Sequence, residues 1–84
     1  MNRQRFLKLS FAERAQWLYF NGQLIASIRY YKHKINLYLL DKVYVEVFYN
    51  HLKDCVDHIE ILDNSSSRMS FYADQIKLPN DLLR

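Results

Sequence analysis

The sequence predicts an α+β domain: an N-terminal helix packed on a four-stranded antiparallel meander, followed by a short C-terminal helix. Three observations carry this. Ser10-Phe11-Ala12-Glu13 fits a capping box, and apolar residues at helical spacing follow it as far as Asn21-Gly22. The stretch from Leu24 to Leu62 is rich in aromatic and β-branched residues. Its centre, Val43-Tyr44-Val45-Glu46-Val47-Phe48-Tyr49, alternates valine with larger side chains, the period of a strand with two unlike faces.

In the capping box, Ser10 accepts from the Glu13 backbone N–H while Glu13 reaches back to the Ser10 N–H. The helix should run over residues 11–21, with Phe11, Ala15 and Leu18 on one face and Ala12 and Tyr19 beside it. Gly22 is free to take the left-handed conformation that ends a helix. The first strand is expected over residues 24–31 and the second over 35–40, joined by a polar turn at Lys32-His33-Lys34. The third, 43–49, follows a turn at Asp41-Lys42, and the fourth, 55–62, follows residues 50–54. Connections this short favour antiparallel neighbours. Residues 63–67 read as a loop. Met69, Tyr72, Ala73 and Ile76 then suggest a second helix over 67–76, which Pro79 stops, leaving 80–84 as a tail. On the sheet, Ile35, Leu37 and Leu39 should match Val43, Val45 and Val47 beneath the first helix. The other face would then carry Tyr38, Leu40, Tyr44 and Phe48.

The length of 84 residues fits a single globular domain over 1–84. The net charge of +3 permits contact with nucleic acid or an acidic protein and requires neither. One cysteine, Cys55, leaves no internal disulfide, as in a reducing compartment. The basic N-terminus is interrupted by Lys8 and Ser10 and lacks the apolar core of a signal peptide. No apolar stretch approaches the roughly 20 residues that span a membrane. The expected setting is the cytoplasm, without membrane contact.

The run Glu13 to Tyr19, the Asn21-Gly22 stop, Ile-Asn-Leu-Tyr-Leu-Leu at 35–40 and Tyr-Val-Glu-Val-Phe-Tyr at 44–49 resemble a group of small uncharacterised bacterial proteins. That group closes with a tyrosine-containing segment and an Ile/Leu pair, here Tyr72, Ile76 and Leu78. The resemblance covers most of the chain and rests on structural motifs. It implies a compact domain from a bacterial source and no assigned activity.

Few residues invite chemistry. His51, Asp54, Cys55, Asp57 and His58 fall close together, and a metal site needs three or four converging ligands. Cys55 and His58, three apart on a strand, should point to opposite faces. The plainer reading is a polar turn entering an edge strand, and the resembling group keeps no Cys or His here. As a nucleophile Cys55 would need a lowered pKa, whereas Asp54 and Asp57 would raise it. Glu46 between two valines could be a perturbed acid, but more often such a residue pairs across the strand, here with Arg29, Lys34 or Lys42. No second carboxylate stands at a spacing for acid–base work. These residues predict a non-enzymatic protein with no cofactor, no metal and no evident small-molecule substrate.

Function then turns on the aromatic face. Tyr38, Tyr44 and Phe48 are candidate partner-binding anchors for self-association or a protein partner, since Tyr and Phe are enriched at interface centres. An exposed strand edge offers a second means of pairing. The alternative is a small nucleic-acid-binding regulator, with Arg29, Lys32 and Lys34 on phosphates and the aromatics stacked on bases. A charge of +3 is small for that mode. The bland possibility is that the second helix covers these rings.

Overall fold

Side-chain caps start both N-terminal helices. In the computed structural model, which describes residues 1–63 and 65–73, Asn2 Oδ1 accepts from the Arg5 N–H at 2.9 Å and opens α1 (Arg3–Leu7). The sequence predicts no element there, because five residues are too few to show a helical period. Ser10 opens α2 (Phe11–Asn21) through the expected capping box: the Glu13 N–H donates to Ser10 Oγ at 3.1 Å, and the Ser10 N–H to Glu13 Oε1 at 2.8 Å. Gly22 ends the helix, but in an extended conformation (φ −79°, ψ 147°) and not the left-handed one. Glycine serves close approach instead. A Cβ there would lie 2.7 Å from the Leu18 carbonyl oxygen. The Gly22 N–H donates to that oxygen at 2.8 Å, and a strand begins at the next residue.

Four strands, β1 (Gln23–Tyr30), β2 (His33–Leu40), β3 (Val43–Asn50) and β4 (Cys55–Ile61), form one antiparallel sheet in the order β1-β2-β3-β4. The meander is as expected. The first turn is not at Lys32-His33-Lys34. Tyr30 pairs with His33 and Arg29 with Lys34, so the loop is Tyr31-Lys32. Tyr31 takes φ 57°, a left-handed conformation that a bulky residue rarely adopts, and so gave no turn signal. Asp41 and Asp54 also have positive φ, which aspartate tolerates better.

Register decides the faces. The two-residue loop Asp41-Lys42 pairs Leu40 with Val43, and with them Tyr38 with Val45, Leu37 with Glu46 and Ile35 with Phe48. Residues directly opposite share a face. Ile35, Leu37 and Leu39 therefore lie on the side away from Val43, Val45 and Val47, which corrects the grouping expected from sequence. On the first face Ile28, Ile35, Leu37 and Phe48 pack with Leu62 and with Met69 and Tyr72 of α3 (Met69–Ala73). On the second face Leu40, Val43, Val45 and Ile59 pack with Phe6 of α1 and Leu18 of α2. The sheet has a core on each side.

The second helix is present as α3, shorter than its expected span within the described residues. Asn64, the extension to Ile76, the stop at Pro79 and the tail from Asn80 lie outside them. Among the described residues no helix is long and apolar enough to cross a membrane.

Candidate functional site

Glu46 has no solvent exposure. Its partner is none of the expected cations but Arg68, which enters just before α3. Arg68 Nε donates to Glu46 Oε2 and a terminal nitrogen to Oε1, both at 2.8 Å, the two-pronged geometry that suits a guanidinium and a carboxylate. Tyr72 Oη also donates to Oε2 at 2.8 Å. Burial, and then the neighbouring Glu46 carboxylate, push the Tyr72 phenol far above its ordinary pKa, so it stays a donor. The Arg68 guanidinium lies over the rings of Phe48 and Tyr30, 5.2 and 5.6 Å from their centroids. The carboxylate is held by three hydrogen bonds inside the fold. This is a clasp between β3 and the α3 segment.

A second polar group forms where β3 and β4 slip. Phe48 pairs with His58 and Tyr49 with Val56, leaving Asp57 as a bulged extra residue. The bulge also returns Cys55 and His58 to one side of the strand, opposite Asn50 and Phe48, and not to opposite faces as simple alternation predicts. Asp57 Oδ2 accepts from Asn50 Nδ2 at 3.0 Å and lies 2.8 Å from His33 Nε2. Asn50 Oδ1 accepts from the backbone of Leu52 and Lys53, so the group fixes the β3–β4 turn. Among the described residues no three His, Cys, Asp or Glu side chains are placed to hold a metal ion.

Hydrogen bonds from His33 and then Asn50 lower the Asp57 pKa from 3.8 to about 2. A carboxyl with a lower pKa in the folded state contributes stability that is fully present above its unfolded value. That contribution disappears as pH falls through the folded value. We expect an acid-side loss of stability between about pH 4 and pH 2 that Asp57→Asn reduces. Urea midpoints across that range measure it, and an unchanged acid limb in the variant would remove Asp57 from the account.

The second face is only partly covered. α2 has eleven residues, about 16 Å of helix, and is about 10 Å wide, whereas strands of seven or eight residues run about 25 Å. Its start is tied to β4, where Arg14 donates to the Ile59 carbonyl at 2.7 Å, and its end leads directly into β1. It thus crosses the strands and cannot cover their length. Beside it lies an open groove of about 450 Å³. Phe11, Tyr19 and Leu24 border it, and Tyr38, Val47 and Val56 form its floor. No lining residue is charged. Tyr19 is 84% and Leu24 55% exposed. The expected helix face of Phe11, Ala15 and Leu18 therefore buries Leu18 alone and leaves the other two on the groove.

Beyond the groove the same face becomes basic. Ser27 Oγ donates to Asn36 Oδ1 at 2.6 Å, and two residues further along, Arg29 stands directly opposite Lys34. These two cations line a depression of about 330 Å³ with Ser27, Ile28 and His51. Neither makes an ion pair with a described residue.

The candidates from sequence are thus divided. Tyr38 lies on the groove face. Tyr44 and Phe48 lie on the first face, where Phe48 is only 7% exposed beneath Arg68. Tyr44 is partly buried against the same core. The single surface of Tyr38, Tyr44 and Phe48 does not form. Arg29 and Lys34 come together, while Lys32 lines a depression on the first face with Tyr31, His58 and Arg68. Sequence reading assigned no site role to the exposed Tyr19, placed beside the apolar helix stripe, or to Leu24 at the start of the first strand; the signal for Tyr19 was an apolar helix flank wider than a single stripe needs.

Fold and groove together define a class of architecture: two N-terminal helices on one face of a four-stranded meander, with a smaller cover on the far face. No protein-family model matches the chain, and no curated protein or solved structure is significantly similar to it.

Proposed function

We propose that this chain is a non-enzymatic protein-interaction domain whose α2–sheet groove receives an apolar segment of another polypeptide. The open, uncharged groove carries this reading. In a chain of net charge +3, a surface lined by Leu24, Tyr19, Tyr38, Val47 and Val56 loses apolar hydration cost when covered and strands no charge. Tyrosines there present a large rigid ring with a polar tip, as at interface centres. The chemistry on the opposite face is occupied internally by the Glu46 clasp and the Asp57 group.

Photo-crosslinking tests this directly. A benzophenone side chain at Leu24 should give discrete polypeptide adducts in cells of the source organism. The same probe at Phe71, exposed on the other side of the sheet, should not. Tyr19→Asp, at an exposed position, should remove the Leu24 adducts without lowering the melting temperature. Equal adduct patterns at both positions would defeat the groove reading.

A nucleic-acid surface is the second reading, and the Arg29–Lys34 pair favours it. It predicts binding to single strands that falls steeply with salt. The groove itself supplies no cation to meet a phosphate.

A further inference from the structure

We infer that the segment received by the groove is acidic at one end, with its apolar residues on α2 and β1 and its carboxylates on the Arg29–Lys34 pair. This rests on the interaction-domain reading above and specifies its partner. Charge and register point to this partner. Arg29 and Lys34 are directly opposite on β1 and β2 and so stand side by side. Like charges in that position repel, and the described residues give neither an ion pair. They share the second face with the groove floor, because Ser27 and Asn36, one face-step back, pair onward to Val47. Lys34 is also opposite Tyr49, which is opposite Val56 on the groove.

The order along β2 is therefore Tyr38 on the groove, Asn36 in the middle and Lys34 at the basic end. The four residue steps from Lys34 to Tyr38 span about 13 Å, the length of a short extended peptide or a little over two helical turns. A partner with apolar side chains followed within that distance by two or more Asp or Glu would cover the groove and relieve the Arg29–Lys34 repulsion together. A basic or neutral segment could satisfy only the first. A phosphate backbone could satisfy only the second.

The test uses a display library of random 12-residue peptides, selected on the intact chain and on two variants. Selection on the unaltered chain should enrich peptides with two or three apolar residues beside an acidic run. On Arg29→Glu/Lys34→Glu the apolar residues should persist and the flank should turn basic. On Leu24→Asp enrichment should vanish. For one enriched peptide made synthetically, the double reversal should weaken binding roughly tenfold, as for two exposed charge pairs reversed.

The failures separate. Apolar enrichment with no acidic flank, or an acidic flank that survives the reversal, overturns this inference and leaves the groove reading standing. No Leu24-dependent enrichment overturns both. A 20-nucleotide oligothymidylate that binds the unaltered chain and not the reversal, in place of peptides, assigns the pair to phosphate. A dimer by light scattering that Leu24→Asp dissolves makes a second copy the occupant, and overturns the proposal.

Discussion

Arg68→Met should cost the domain about 3–5 kcal/mol, because it leaves the Glu46 carboxylate buried without its cation. That is most of the stability of a domain this small, which is on the order of 5–10 kcal/mol. The cost comes from stranding a charge and not from the intrinsic strength of the pair. Glu46 is fully buried, and both its oxygens are committed to Arg68 and Tyr72. Without the guanidinium the carboxylate must take up a proton or admit water into the core of Leu37 and Phe48. Either choice loosens α3 from the sheet. Removing the whole group tells the two explanations apart. Glu46→Leu/Arg68→Met/Tyr72→Phe leaves no buried charge and no orphaned hydroxyl, and should recover stability to near that of the unaltered chain. Urea midpoints followed by circular dichroism measure both variants. A single variant as stable as the parent would mean that Glu46 is hydrated and the clasp contributes little.

Phe6→Ala is the second large effect, again about 3–5 kcal/mol, from lost burial and the cavity left behind. Phe6 is fully buried among Leu18, Leu40, Val43, Val45 and Ile59, and it is the buried residue of α1. The Arg14 guanidinium covers its ring at 5.1 Å, closing the outer side of the pocket. Leu7, its neighbour, is half exposed. Leu7→Ala should therefore be nearly silent, while Phe6→Ala lowers the melting temperature by roughly 15 °C or more. Equal small effects in the two variants would mean that α1 is not docked.

These two residues also mark what the sequence could not disclose. α2 was legible at both ends, because a capping box and a glycine act within four residues of where they stand. The strands were legible from alternation and β-branched content. Register was not, although it followed from a two-residue loop: once Leu40 must pair with Val43, even positions on β2 share a face with odd positions on β3. Alternation alone groups Tyr38 with Tyr44 and Phe48, whereas the register places Tyr38 on the other face. Arg68 is 22 residues from Glu46, in a loop whose path no local pattern specifies. Phe6 sits in a helix too short to show a period. The groove was invisible for another reason. Its existence depends on α2 crossing the strands and leaving part of their length bare, which is a matter of angle and not of pattern.

The meander order has a consequence for how the domain is assembled. Each strand pairs only with its neighbours along the chain, so the sheet can form hairpin by hairpin with little loop-closure entropy. The α2–β4 wall is different, since Arg14 reaches Ile59 across 45 residues. Nothing local can build it, and it closes only after the strands are in place. The complete groove thus requires all four strands, since Val56 and Ile59 of β4 line it. A chain whose β4 is not yet paired offers no such surface, and whatever the groove receives meets the completed sheet.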